Sequence, residues 1–97
     1  MNSRERAYIK GLASCLDCVL SLGKSSVTPE FTEAVREAVE ARELIKINVL
    51  KSCDADLREV ASILAERTGA EVIQVIGRKI VLYKPDTKNP RIVFPTK

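Results

Sequence analysis

The chain has 97 residues, of which 45% are hydrophobic and 30% charged, and its 16 basic and 13 acidic residues give a net charge of +3. This length suits one domain spanning residues 1–97, and the composition is that of a folded rather than a disordered chain. The apolar runs, such as Ile80 to Tyr83, are far too short for a membrane-spanning helix, and the first residues show no secretory signal. We therefore expect a cytoplasmic protein without a membrane partner.

Histidine is absent, which removes Ser-His and Cys-His pairs and imidazole metal ligands. We therefore expect a protein that is not an enzyme and that has neither a cofactor nor a small-molecule substrate. Cys15 and Cys18 have the spacing of a redox pair or of half a zinc site, and Cys53 could add a third thiolate. The pair spans a helix end and a strand start, and a fourth ligand is missing. We expect buried, reduced and metal-free thiols.

The first part of the chain predicts a helix and a short strand. Ser3 can cap a helix that runs to about Leu16. Its apolar residues recur at the spacing of one helix face: Ala7, Tyr8, Gly11, Leu12, Cys15 and Leu16. Residues 18–22 alternate in the manner of a strand, and residues 23–26 form the loop that ends it.

A second helix and a second strand follow. Thr28 places a capping hydroxyl just before Pro29, which suits the first helical position, and the helix ends near Arg42. Its apolar stripe consists of Phe31, Ala34, Val35, Ala38 and Val39. Residues 44–50 alternate between apolar and polar, which predicts a strand with one wet face. The apolar positions are Ile45, Ile47 and Val49, and the polar ones are Lys46 and Asn48.

The last part of the chain predicts a third helix and a hairpin. Asp54 or Asp56 can cap the helix, and Gly69 suits the position just past its end. Residues 71–76 and 79–83 are both rich in Val and Ile and are separated by Gly77 and Arg78, which predicts a tight turn with glycine at a positive φ. From about residue 85 the proline-rich tail should be irregular, with residues 92–94 packing back as a short extended segment.

These elements predict a single α/β domain with the order α-β-α-β-α-β-β. The two βαβ units imply right-handed crossovers with parallel strands, and the final pair is antiparallel, so the four-stranded sheet is mixed. Because the early strands alternate between apolar and polar, we expect all three helices to cover one sheet face.

Charge is segregated along the chain. The acidic blocks coincide with the second and third helices, whereas basic residues concentrate in the loops and strands, at Lys24, Lys46, Lys51, Arg78, Lys79 and Lys84. These cations could be ordinary solvated charges. Alternatively, the first loop and the hairpin form one positive rim, which suits the phosphates of structured RNA. The few aromatic residues form no interleaved platform for stacking splayed bases.

The loop sequence Gly23-Lys24-Ser25 is similar to the end of a phosphate-binding P-loop. The first glycine of that motif should stand at Cys18, so nucleotide hydrolysis is not favoured. The loop still precedes a helix N-terminus, which favours an anion. The alternative is a turn whose lysine is merely solvated.

Three segments together resemble YhbY-type proteins, which are stand-alone versions of the CRM (chloroplast RNA splicing and ribosome maturation) domain. The segments are Gly23-Lys24 before the helix start at Thr28, residues 43–49, and above all residues 68–85, and the resemblance covers about residues 3 to 85. It implies a fold like the C-terminal domain of bacterial translation initiation factor three. It also implies binding to ribosomal RNA, mainly in precursors of the large subunit.

The resemblance also implies a binding loop. The usual loop of the family is Gly-x-x-Gly, as in KH domains, and it maps onto Gly23, Lys24, Ser25 and Ser26. Ser26 therefore replaces the final glycine, where a side chain can cost about 1 kcal/mol or more or can instead donate a hydrogen bond to phosphate. Gly77, Arg78 and Lys79 match the family block without change.

The predicted partner is therefore ribosomal RNA or a large-subunit precursor particle. The predicted RNA-binding residues are Gly23, Lys24, Ser25, Ser26, Lys46, Gly77, Arg78, Lys79 and Lys84. Three of them, Lys24, Arg78 and Lys79, should hold phosphates at one rim, and folding should not depend on them. The alternative is a protein-interaction module that uses the open sheet face, and a second candidate RNA surface is the first helix with Arg4, Arg6 and Lys10.

Overall fold

The computed structural model describes residues 3–23, 27–53, 55–85 and 92. Its elements are α1 (Ser3–Ser14), β1 (Leu20–Leu22), α2 (Pro29–Arg42), β2 (Leu44–Val49), α3 (Leu57–Thr68), β3 (Glu71–Ile76) and β4 (Lys79–Tyr83). The predicted order is confirmed, and the bounds of β3 and β4 are those expected from the sequence. The predicted loop residues Lys24, Ser25 and Ser26 lie outside the described residues, as do residues 93 and 94 of the expected tail segment.

Local hydrogen bonds explain where the helices begin and end. The hydroxyl of Thr28 accepts the Phe31 amide at 3.1 Å, which starts α2. Of the two candidate caps of α3, Asp56 is the one used, since its carboxylate accepts the Arg58 amide at 3.4 Å. Gly69 ends α3 with φ 77°, and Gly77 forms the hairpin turn with φ 58°, so both glycines occupy the left-handed region.

The sheet has the strand order β1-β2-β4-β3. β1 and β2 are parallel, whereas β4 is antiparallel to both β2 and β3. The mixed four-stranded sheet is therefore confirmed, with β4 inserted between β2 and β3. Asn48 lies opposite Ser21 on one side and Lys79 on the other. The ends of β1 and β2 and the β3–β4 turn thus meet at one end of the sheet, which we call the hairpin end.

Helices α2 and α3 cover one face of the sheet. Their buried residues Val35, Val39, Val60 and Leu64 belong to the larger core cluster. The same cluster contains the inward residues of the two central strands, Ile45, Ile47, Val49, Ile80 and Leu82. This arrangement confirms the predicted apolar stripe of α2, of which Val35 and Val39 are fully buried.

Helix α1 lies on the other face, so the expectation that all three helices share one face is wrong. Ile9 and Ala13 of α1 form a second core cluster with strand residues on this other face, which include Leu44, Val81 and Tyr83. The reason is that β4 is apolar on both of its faces, and the second face also has to be covered. The predicted apolar stripe of α1 is wrong as well, because Tyr8 and Leu16 are 36% and 37% exposed.

None of the helices in the described part of the chain has the length and apolarity that a membrane crossing requires.

Two glycine-to-alanine substitutions should change stability in opposite directions. Gly69→Ala should lower the free energy of unfolding by about 1 kcal/mol, because an L-residue is strained at φ 77°. Gly11→Ala should raise it by roughly 0.5–1 kcal/mol, because Gly11 lies inside α1 and a Cβ there would meet nothing within 4 Å. Urea unfolding of both variants beside the native chain measures the two changes. If both substitutions changed the free energy of unfolding in the same direction, the backbone at Gly11 or at Gly69 would differ from the structure.

Candidate nucleic-acid interface

Helix α1 covers only part of its sheet face. It packs over the end that carries Leu44 and Tyr83. Towards the hairpin end, β2 and β4 present polar residues on this face, because Lys46 and Asn48 alternate with buried Ile47 and Val49. Asn48 is paired with Lys79, and Lys46 is paired with Val81. Lys46 and Lys79 are therefore diagonal neighbours on adjacent strands. Lys10 of α1 lines the same groove as Lys46. We call Lys10, Lys46 and Lys79 the basic face.

The lysines of the basic face take part in no ion pair with another described residue. Among the described residues, the ion pairs are Arg6–Glu71, Arg36–Glu33 and Lys84–Glu40. None of these pairs involves Lys10, Lys46 or Lys79. Neighbouring cations without carboxylates between them repel one another and attract a polyanion.

Arg78 is bound to the chain itself. Its Nε donates to the Val49 carbonyl at 2.9 Å, and one terminal nitrogen donates to the carbonyls of Leu50 and Cys53 at 2.8 and 3.4 Å. The guanidinium therefore closes the turn that follows β2. The sequence predicted no such structural role for Arg78, and its contact with phosphate stays a prediction.

Gly23 lies at the same end of the sheet as this turn. The Leu50 amide donates to the Leu22 carbonyl at 2.8 Å, and a Cβ at Gly23 would lie 3.6 Å from the Leu50 side chain. The structure therefore brings Gly23, Gly77, Arg78 and Lys79 to the hairpin end. Of the predicted rim residues, Lys24 lies outside the described residues.

Lys84 lies at the opposite end of the sheet. Its ammonium pairs with Glu40 of α2 at 3.1 Å and lies near Gly69. This end is acidic, because the carboxylates of Glu43, Glu5 and Glu71 also lie near the Tyr83 phenol. Burial raises the pKa of that phenol above its ordinary value of 10.0, and the three carboxylates raise it further. The structure therefore separates Lys84 from the other predicted site residues.

Comparison with known proteins assigns the chain to a family. The profile of the CRS1 / YhbY (CRM) domain matches residues 1–84. The chain belongs to the CRM domain family. It is 34% identical over 95 residues to "Probable RNA-binding protein YqeI" of Bacillus subtilis (strain 168), covering 98% of this chain and 99% of that protein.

Two further proteins are similar to this CRM domain. An "RNA-binding protein" of Haemophilus influenzae (strain ATCC 51907 / DSM 11121 / KW20 / Rd) is 28% identical over 97 residues, which cover 100% of this chain and 97% of the relative. The solution structure of a Staphylococcus aureus protein, described as a candidate RNA binding protein, superposes with a TM-score of 0.81 at 33% identity. That superposition covers 98% of this chain and 99% of the other. The mixed four-stranded α/β fold is therefore shared with a solved relative.

The three cysteines of the CRM domain differ in exposure. Cys53 is buried in the larger core cluster, whereas Cys18 is half-buried and Cys15 is exposed. The expectation of buried thiols is therefore correct for Cys53 and wrong for Cys15. No cluster of three or more metal-ligating side chains occurs within residues 3–23, 27–53 and 55–85.

Two neighbours of the lysines were not among the residues predicted for the site. Asn48 shares the wet positions of β2 with Lys46, so the alternation of that strand already contained the signal. Gln74 lies beside the register shift between Val72 and Gln74 in β3, where simple alternation fails. No sequence pattern could therefore have assigned Gln74 to the face of α1.

Proposed function

We propose that this CRM domain binds structured RNA through the basic face and the adjoining hairpin end, without catalysing a reaction. The supporting observation is the grouping of Lys46, Lys79 and Lys10 on one surface without described counter-charges. The other side of the sheet is covered by α2, with four glutamates and two arginines, and α3, with two of each, so these helices have a net charge of −2. A polyanion approaching the chain is therefore attracted to one side and repelled from the other.

The contacts of this surface suit the RNA backbone. Lysine ammonium groups bind phosphates as point charges and carry no sequence information. A folded RNA presents closely spaced phosphates along its grooves, which a cluster of lysines can contact. The names of the two relatives and of the structural neighbour support RNA as the polyanion.

The proposed RNA is ribosomal, in precursors of the large subunit. The test is ultraviolet crosslinking in cells followed by sequencing of the bound RNA. We expect crosslinks concentrated in large-subunit ribosomal RNA and enriched in fractions that contain immature particles. A variant with Lys46→Glu and Lys79→Glu, expressed at the same level, is the matched control, and its crosslinks should fall to background.

Salt dependence separates RNA binding from the alternative of a protein-interaction module. Phosphate contacts release counterions, so the logarithm of the association constant should fall steeply and linearly with the logarithm of salt concentration. An apolar protein interface should change little over the same range. Binding to purified ribosomal RNA that is weak and insensitive to salt would contradict the proposal.

A further inference from the structure

A groove lies between α1 and the sheet, next to the basic face. Its volume is about 460 Å³, and its lining includes Lys10 and Gly11 of α1 and Lys46 and Gln74 of the sheet. Ile76, which is exposed, contributes apolar surface, and the remaining lining residues are Ser14 and the buried Ala13 and Val81. Small-molecule sites occupy roughly 300–1,000 Å³, so the groove has room for one nucleotide.

The polar groups of the groove favour a nucleotide over an apolar occupant. None of its described lining residues is a carboxylate, while Lys10 and Lys46 supply two cations. Gln74 is half-buried, and its side-chain amide has no hydrogen-bond partner within the described part of the chain. An amide group offers both donors and an acceptor, which is the combination that reads the edge of a base.

Gly11 adds an independent observation. A glycine inside a helix is unfavourable compared with alanine, so its presence calls for a reason. Neither packing nor backbone conformation supplies one, because a Cβ at Gly11 would meet nothing within 4 Å and its φ is not positive. The missing side chain does, however, leave the helix side of the groove open.

We infer that the groove receives one unpaired nucleotide of the bound RNA. The base lies between α1 and the β3–β4 hairpin with its edge against Gln74, and its phosphate lies near Lys10 and Lys46. Bases inside an A-form helix are stacked and paired, so only a bulged or loop nucleotide can enter. This inference rests on the proposed RNA binding and adds a subsite for a base to a surface that otherwise contacts phosphates.

The test compares two RNA hairpins that differ by one bulged adenosine, with 2-aminopurine at the bulge as a fluorescent probe. The native chain should bind the bulged hairpin about tenfold more tightly, within the range that contacts to one base provide. Its binding should also change the probe's fluorescence. Gly11→Leu places a large side chain at the helix-side rim of the groove and should reduce both the preference and the fluorescence change, while the Kd for the paired hairpin stays the same.

Two further variants serve as controls. Gln74→Ala should weaken binding of the bulged hairpin roughly fivefold and leave the paired hairpin unchanged, since it removes only the contact to the base edge. Lys79→Ala, outside the groove, should weaken both hairpins equally. Melting temperatures measured in parallel verify that each variant is folded, and the Gln74 variant decides the matter if leucine at position 11 impairs folding.

The outcomes distinguish the inference from the function on which it rests. A folded Gly11→Leu variant that keeps the preference for the bulged hairpin would overturn the inference. Equal, salt-sensitive binding of both hairpins by the native chain would also overturn it but would leave the proposed RNA binding intact. Failure of the native chain to bind either hairpin, or ribosomal RNA, would remove both.

Discussion

Replacing both Lys46 and Lys79 with alanine should weaken the binding of ribosomal RNA roughly tenfold to a hundredfold at low ionic strength. The two lysines are diagonal neighbours on adjacent strands and have no described counter-charge. If each meets one phosphate, the log-log salt slope should become less negative by about 0.7–0.9 for each lysine removed. Titration of RNA at four or more salt concentrations measures the affinity and the slope together.

Lys84→Ala is the matched control for this prediction. It removes one positive charge from the opposite, acidic end of the sheet, where Lys84 pairs with Glu40. We expect a change in RNA affinity of less than about twofold, because the charge lies away from the basic face and is already compensated. If Lys84→Ala weakened binding as much as either single alanine variant of the basic face, net charge rather than this surface would govern affinity. An unchanged slope in the folded double variant would move the RNA surface away from the two strands, such as to the start of α1 with Arg4.

The substitution Arg78→Ala should destabilise the fold by about 2 kcal/mol, which lowers the melting temperature by roughly 10 °C for a domain of this size. The guanidinium donates to three carbonyls of residues 49–53, and these groups would lose a charged, partly buried donor. Thermal and urea unfolding measure the loss.

Two variants separate the structural role of Arg78 from its charge. Arg78→Lys keeps the charge but not the planar fork, so it should restore little of the stability and most of any electrostatic attraction for RNA. Lys79→Ala, at the next residue, is exposed and should leave stability unchanged within about 0.5 kcal/mol. An Arg78→Ala variant as stable as the native chain would show that these hydrogen bonds contribute nothing net to the fold.

Local signals in the sequence were sufficient for the order and bounds of most elements. Thr28 and Pro29 start α2 and Gly69 ends α3, because a cap is made by hydrogen bonds and dihedral angles within a few residues. The turn at Gly77 and the ends of β3 and β4 depend in the same way on neighbouring residues. The mixed sheet then followed from the order of the elements, since each βαβ connection has one favoured hand.

The layer arrangement could not be obtained in the same way. The alternation of Lys46 and Asn48 with apolar residues indicates a wet face, and this holds only towards the hairpin end of β2. At the other end, Leu44 and Tyr83 need cover on that same face, and α1 supplies it through Ile9. Several apolar residues of α1 could have been buried, so the choice among them depended on the shape of the sheet it meets.

The sequence by itself determined the secondary structure, the segregation of charge and the family of this protein, because these depend on residue types and short spacings. Only the tertiary structure decided which basic residues are bound to other parts of the chain. Arg78, Lys79 and Lys84 look alike as cations in or beside one hairpin. The partners that distinguish them are distant in sequence: Arg78 is bound to carbonyls 25 to 29 residues away, and Lys84 is paired with a carboxylate 44 residues away. Such contacts form only when separate elements pack together. Among the described residues, they distinguish Arg78 and Lys84 from Lys79, which takes part in no ion pair.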